Sequence, residues 1–292
     1  MKQGWPWCSP GIGISGIEWL RRACLLPSRR RAPCVAFWPK PPYVPGHDGS
    51  SRVLNIFKTP EQRWAARQQR VAQWDRPLIT GSQRLRAWFN MLFVDHGIVR
   101  LVYLNEHAVT PDFRRSAQPA PQDFARLARE GVRTIVNLRG GRENGAWPLQ
   151  REACELNGLI LSEIAMRSRA APDRDMLLGL PDYFAGLSYP VLAHCKSGAD
   201  RAGLFSALYL LVREGKPVAE AKRQLSLRYG HVRMAKTGML DAFLDAFARD
   251  GEAKGLSFMD WVRDVYDPAA VEAAFHEGFW ASLLIDRLLK RE

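Results

Sequence analysis

The stretch that most constrains the fold is residues 190–214, PVLAHCKSGADRAGLFSALYLLVRE. It opens on a short apolar run, PVLAH, that reads as a buried strand. The loop CKSGADR follows, and residues 202–214 then form an apolar helix. The chain before and after alternates in the same way. Residues 119–130 predict a helix with Phe124, Leu127 and Ala128 at helical spacing and Gly131 as its stop. Residues 132–138 are a β-branched strand, 146–157 a helix ending at Asn157-Gly158, 159–165 a second strand and 173–187 a helix. Two more helices are expected near 217–228 and 235–249. This alternation predicts an α/β fold, a central, mainly parallel sheet flanked by helices on both faces.

The flanks differ. Residues 1–60 are rich in Trp, Arg, Pro and Gly and read as a loop-rich arm. Residues 61–76 suit a polar helix. Residues 84–104 are dense in large apolar groups around Asp95, His96 and Gly97, which suits two short helices broken near Gly97. Two readings stay open for that segment: an interfacial element lying in a bilayer surface, or a helical hairpin packed on the central domain. Residues 258–290 add further apolar groups, as two helices covering the sheet or docked beside 84–104. The expected division is a basic arm (1–60), a helical segment (61–108), the α/β domain (109–250) and a C-terminal helical extension (251–292).

Charge supports that division. The net charge is +12, but residues 1–90 hold 15 Lys/Arg against 4 Asp/Glu, and residues 91–292 hold 27 against 26. A near-neutral domain with a basic arm does not carry the footprint of a nucleic-acid-binding domain, and no nucleic-acid partner is expected. Seven of the ten Trp also lie in residues 1–90, and Arg with Trp favours a membrane–water interface. The five Cys include no CxxC pair, so neither a disulfide framework nor a zinc site is expected, and no cofactor is called for. No run of apolar residues is long enough to span a bilayer, and the first residues do not read as a secretory signal. The expected location is cytoplasmic, with peripheral attachment to the inner face of the membrane as an option.

Within residues 191–203, VLAHCKSGADRAG, a strand ends at His194, a glycine-containing loop follows, and a helix begins near Arg201. Such a loop is a nest of backbone N–H groups at the positive end of a helix, suited to a phosphate dianion. Cys195 opens the loop as the candidate nucleophile; loop amides, helix dipole and a nearby guanidinium all favour a thiolate. Arg201 closes it, with a planar fork that binds two phosphate oxygens at once. Lys196, Ser197, Gly198 and Ala199 lie between them as the candidate substrate-binding residues.

HCKSGADRAG resembles the HCx5R signature loop of the cysteine-based protein-tyrosine and dual-specificity phosphatase superfamily. The stretch from about 100 to 250 is similar to its compact bacterial branch, including Arg115-Ser116-Ala117-Gln118-Pro119 ahead of a helix and TIVNLR. The resemblance implies a dual-specificity-phosphatase-like fold and a metal-free reaction through a phosphocysteine on Cys195, with Arg201 holding the transition state. It implies a general acid, with Asp200 as the first candidate and Asp173 as the alternative. Asp200 lies inside the loop just before the arginine, as in some branches. Asp173 and Asp175 lie 22 and 20 residues before Cys195 on a separate segment, where capping of a helix after Pro172 would equally account for them. His194 is expected to fix the loop by hydrogen bonding. Relatives follow the arginine with Thr or Ser; here it is Ala202, which predicts slow breakdown of the intermediate or compensation by Ser197.

The motif specifies a phosphomonoester but not its owner. A phosphorylated protein, acted on with tyrosine or dual specificity, is the first reading. A phospholipid or glycolipid phosphate at a membrane face is the alternative; Lys196 after the cysteine resembles a phosphoinositide-directed loop, and residues 1–104 would meet an anionic surface. A phosphate-binding adaptor without catalysis is the weakest reading, because Cys195 and Arg201 are both present. The oligomeric state is not set by the sequence.

Overall fold

The computed structural model describes residues 59–276; residues 1–58 of the expected basic arm (1–60) and the end of the C-terminal extension, residues 277–292, lie outside the described residues. Helices α1 (Pro60–Trp74), α2 (Gly81–Phe89) and α3 (Gly97–Val102) precede a five-stranded sheet of β1 (His107–Thr110), β2 (Phe113–Ala117), β3 (Thr134–Asn137), β4 (Ile160–Glu163) and β5 (Val191–Cys195). Helices α4 (Asp123–Arg129) and α5 (Ala146–Leu156) lie between β2 and β4, and α6 (Arg174–Leu178) and α7 (Leu180–Ala185) lead to β5. Helices α8 (Asp200–Val212), α9 (Val218–Ala221), α10 (Met239–Asp250) and α11 (Phe258–Asp264) follow it.

The strand order is β1-β2-β5-β3-β4, with all pairs parallel except the antiparallel edge pair β1–β2. β5 is central, and all five of its residues are buried, which is why its sequence shows no polar alternation. Successive side chains still point to opposite faces. Val191, Ala193 and Cys195 face the larger core, built with α7, α8, α10 and α11, while Leu192 joins Phe124 and Leu127 of α4 and Ala153 and Cys154 of α5 on the other face. Residues 202–211 of α8 are buried on every side, between the sheet and the C-terminal helices. Phe258, Trp261 and Val262 of α11 belong to the same core, so the start of the C-terminal extension completes the sheet's cover.

The N-terminal helices are fixed by local chemistry and then by packing. Thr59 and Thr80 each form a capping box, with Gln62 and Gln83, at the start of α1 and α2. Trp74, Ala87 and Met91 pack with Ala146 and Leu149 of α5. A π-helical turn, Asn90–Val94, follows α2, and His96 adopts a left-handed conformation (φ 55°) before α3. The break thus falls where Gly97 placed it; a Cβ on Gly97 would lie 2.4 Å from the Met91 carbonyl oxygen.

The strand pair β1–β2 lies where the sequence pattern marked no element, because Arg114 and Arg115 interrupt the apolar alternation of β2. Three sequence expectations change. Helix α4 starts only at Asp123, after Pro119 and Pro121, with the Asp123 carboxylate accepting from Ala120 N at 2.8 Å. The helix expected over 173–187 is two, divided at Gly179 with Pro181 in the first turn of α7. The helix expected over 217–228 is the four-residue α9 followed by 3₁₀ turns at Lys222–Gln224 and Leu227–Tyr229.

Candidate active site

Cys195 is the last residue of the central strand and is buried, while residues 196–199 turn into the first residue of α8, Asp200. The turn requires a glycine. Gly198 has φ 76°, and a Cβ there would lie 2.5 Å from Ala117 N and 2.7 Å from the Ser116 carbonyl carbon.

Every carbonyl of the loop is tied back to the protein. Gln118 N donates to Lys196 O at 3.5 Å, at the long limit of such a bond, and Asn105 Nδ2 donates to Ser197 O at 3.0 Å. Arg115 Nη2 donates to Gly198 O at 2.7 Å and to Ala199 O at 2.9 Å. In a trans peptide the N–H points opposite to its C=O. Anchoring these four carbonyls therefore turns the amides of residues 197, 198 and 200 toward the other side of the loop, where an anion would sit, while the Ala199 N–H meets Ser197 Oγ.

Arg115 is fully buried; its other nitrogen donates to Gln224 O (2.5 Å) and Oε1 (3.0 Å), and its guanidinium lies 4.1 Å over the Tyr229 ring. Burial pulls its pKa down to about 10, which leaves it cationic at neutral pH. Asn105, itself left-handed at φ 51°, also donates to Tyr229 O (3.0 Å) and accepts from Tyr103 Oη at 3.3 Å. One asparagine thus joins the loop to the 227–230 turn.

The candidate residues fall into place unequally. Arg201, partly exposed, makes no hydrogen bond or ion pair with the described residues. Lys196 is partly committed: its Nζ is 3.5 Å from Asp95 Oδ1. Asp95 is buried and is also held by Arg139 (2.7 Å to each oxygen) and Arg100 (2.8 Å). Burial would raise the Asp95 pKa, but Arg139, Arg100 and Lys196 together outweigh it and hold the carboxyl below its usual range. Ser197 is exposed and its Oγ accepts from Ala199 N at 3.4 Å, while Ala202 is fully buried.

Asp173 is the N-cap of α6, accepting from Met176 N at 3.0 Å, with Asp175 in the first turn. Asp200 stands in a different setting. Its Oδ1 is 2.7 Å from His231 Nδ1, and His231 Nε2 is 2.7 Å from Asp241 Oδ2. Burial would lower the His231 pKa; the bonds to Asp200 and Asp241 overcome that and raise it to about 9.

His194 is fully buried, and neither ring nitrogen has a partner at standard hydrogen-bond geometry. Burial, then the nearby Arg139 charge, pushes its pKa down to about 3, against an opposing pull from the Cys195 backbone at the start of the loop. Sequence reasoning assigned no role to Asn105, His231 and Asp241, and Arg115 entered it only as part of a motif. Their roles depend on contacts across 10 to 124 residues of chain, which no local pattern marks.

Residues 111–216 match a family model described as "Polymorphic toxin system, DSP-PTPase phosphatase". Two curated relatives, both named dual specificity protein phosphatase TpbA and from Pseudomonas aeruginosa strains PAO1 and UCBPP-PA14, are 32% and 31% identical over 113 residues, 38% of this chain and 49% of each relative. The chain thus spans about half the length of the curated relatives it matches. A crystal structure of P. aeruginosa TpbA aligns with a TM-score of 0.42 and 21% identity over 59% of this chain and 90% of that one. One of a Shewanella putrefaciens protein, described as a putative phosphatase, aligns at 0.43 and 20% over 52% and 95%. On these sequence matches, residues 111–216 are similar to cysteine-based phosphatases of the dual-specificity type.

Proposed function

We propose that the chain is a phosphomonoester hydrolase working through a phosphocysteine on Cys195, and that its substrate is a phosphorylated protein, with tyrosine or dual specificity. The observation that carries this is the loop whose four carbonyls are all anchored, between a strand-end cysteine and Arg201. Cys195 attacks phosphorus in line and water then hydrolyses the phosphoenzyme. The loop amides of residues 196–201 and the Arg201 fork hold the three equatorial oxygens. Asp200, whose Oδ2 makes no hydrogen bond with the described residues, protonates the leaving oxygen. The capping bond of Asp173 accounts for that residue without a catalytic role. The curated relatives' name is the support for a protein substrate. The test is hydrolysis of phosphotyrosine, phosphothreonine and phosphoserine peptides by wild type and Cys195→Ser. A Cys195-dependent rate on phosphotyrosine is expected; equal rates for the two proteins would remove the proposal.

A second reading, a lipid phosphate at an anionic membrane face, is favoured by one observation. Leu85, Phe89, Phe93, Val94, Ile98 and Val102, in α2, α3 and the π-helical turn between them, are each more than half exposed. Asp95 is the sole acidic residue between residues 76 and 105, and it is buried among cations. Residues 1–58 add nine Lys/Arg against two Asp/Glu. Apolar groups beside positive charge fit an anionic bilayer. Co-sedimentation of the full chain with phosphatidylglycerol vesicles, reversed by salt and by Phe89→Glu with Phe93→Glu, is the expected result. No binding to vesicles, or a dimer in light scattering that the same pair of substitutions splits, would remove the membrane reading.

A further inference from the structure

His231 sits between two carboxylates, and the geometry limits how protons can be placed there. Both ring nitrogens are 2.7 Å from a carboxylate oxygen, and the ring is almost fully buried (1% exposed). A neutral imidazole has one N–H, so one of these contacts would then set two lone pairs against each other. Two arrangements avoid this: an imidazolium between two carboxylates, or a neutral imidazole beside one protonated carboxyl. For the Asp200 side, the two differ only in where one proton lies along a 2.7 Å bond.

The surroundings fix the ring rather than the proton. His231 N donates to Ser226 O at 3.1 Å, and Gly230 before it has φ 79°. The neighbouring Tyr229 is held by Asn105 through its carbonyl and lies under the Arg115 guanidinium. Those same two residues anchor the loop carbonyls, so the turn carrying His231 and the phosphate loop are positioned together. Asp241, in the first turn of α10, is buried and closes the far side. The buried Arg115 cation acts on Asp200 through its charge and lies over the Tyr229 ring.

Resting on the phosphatase reading, we infer that His231 is a positioning residue that stores the proton Asp200 gives to the leaving oxygen and takes it back from the hydrolytic water. In the first step the thiolate pair of Cys195 forms the S–P bond and the P–O bond breaks with its pair on oxygen. That oxygen takes a proton from the Asp200 carboxyl, which His231 Nδ1–H supplies. The imidazole left behind is neutral and still donates Nε2–H to Asp241. In the second step the water oxygen bonds phosphorus, the S–P pair returns to sulfur, and the water proton passes through Asp200 to His231.

The test compares phenyl phosphate, whose leaving oxygen needs a proton, with 2,4-dinitrophenyl phosphate, whose leaving oxygen does not. In the full chain, His231→Asn is expected to lower kcat/KM on phenyl phosphate by about 10²-fold. The loss should exceed that on the dinitrophenyl ester at least tenfold. Asp241→Asn, which keeps shape and removes charge, is expected to move the alkaline limb of kcat to lower pH. In Cys195→Ser, the ring ¹⁵N resonances of His231 should show a cation at pH 7 that Asp200→Asn or Asp241→Asn makes titrate lower. Equal losses on both esters, or a His231 ring neutral at pH 7 and indifferent to Asp200→Asn, would overturn the inference and leave a Cys195-dependent enzyme. A wild type no faster than Cys195→Ser on either ester would overturn the phosphatase reading with it.

Discussion

Arg115 shows how one buried side chain sets the geometry of the whole loop. It gives up hydration and receives in exchange four acceptors and an aromatic face. Arg115→Met leaves those acceptors without a donor, at about 1–3 kcal/mol for each buried group so stranded. Stability is therefore expected to fall by at least about 3 kcal/mol in urea unfolding, and vanadate inhibition should weaken in parallel because the loop amides lose their fixed direction. Gly198→Ala is expected to be worse for activity than for stability. Its Cβ would push the loop off the β2 backbone, and a displacement of that kind costs about 10²-fold in kcat/KM.

The two buried histidines give opposite pH signatures. His231 has a raised folded pKa of about 9, so its stabilisation is complete below about 6.5 and is lost as pH rises through 9. His194 has a depressed folded pKa of about 3, so stability is lost as pH falls from about 6.5 toward 3. Thermal melts across pH are expected to peak near neutrality, and His231→Asn should flatten the alkaline side alone. Neither effect was legible in the sequence. A histidine's tautomer and charge are set by what packs around it, and the partners of His231 lie 31 and 10 residues away in the chain.

At the scale of elements, legibility followed burial. The apolar runs of β5 and α8 announced themselves, because an element buried on all sides has no polar face to hide its pattern. β2 did not, because two of its five positions are arginines, and one of those is buried for the sake of the loop. The α2–α3 segment was legible as two helices and a break, but its placement was not. Its seat on α5 depends on small residues: a Cβ on Gly145 would lie 2.4 Å from the Ala87 carbonyl oxygen, and Gly145 N donates to Asn90 Oδ1 at 2.7 Å. Gly145→Val is expected to lower stability by about 1–3 kcal/mol, the usual cost of overpacking. It should also open residues 81–102 to limited proteolysis while β5 stays protected.

For the whole molecule, the sequence by itself determined the α/β class, the position of the strand–loop–helix and the identity of Cys195 and Arg201. Those follow from periodicity and from chemistry carried in seven consecutive residues, 195–201. It also separated a near-neutral domain from a basic arm, because charge counts need no coordinates. The tertiary structure decided the rest. It placed Asp95 as the junction of three cations including Lys196, made Asn105 and Arg115 the anchors of the loop carbonyls, and set Asp200 against His231 and Asp241. The physical reason is range. The proposed nucleophile and its clamp share one short loop, whereas the direction of an amide and the proposed home of a proton depend on groups that only the folded chain brings within 3 Å.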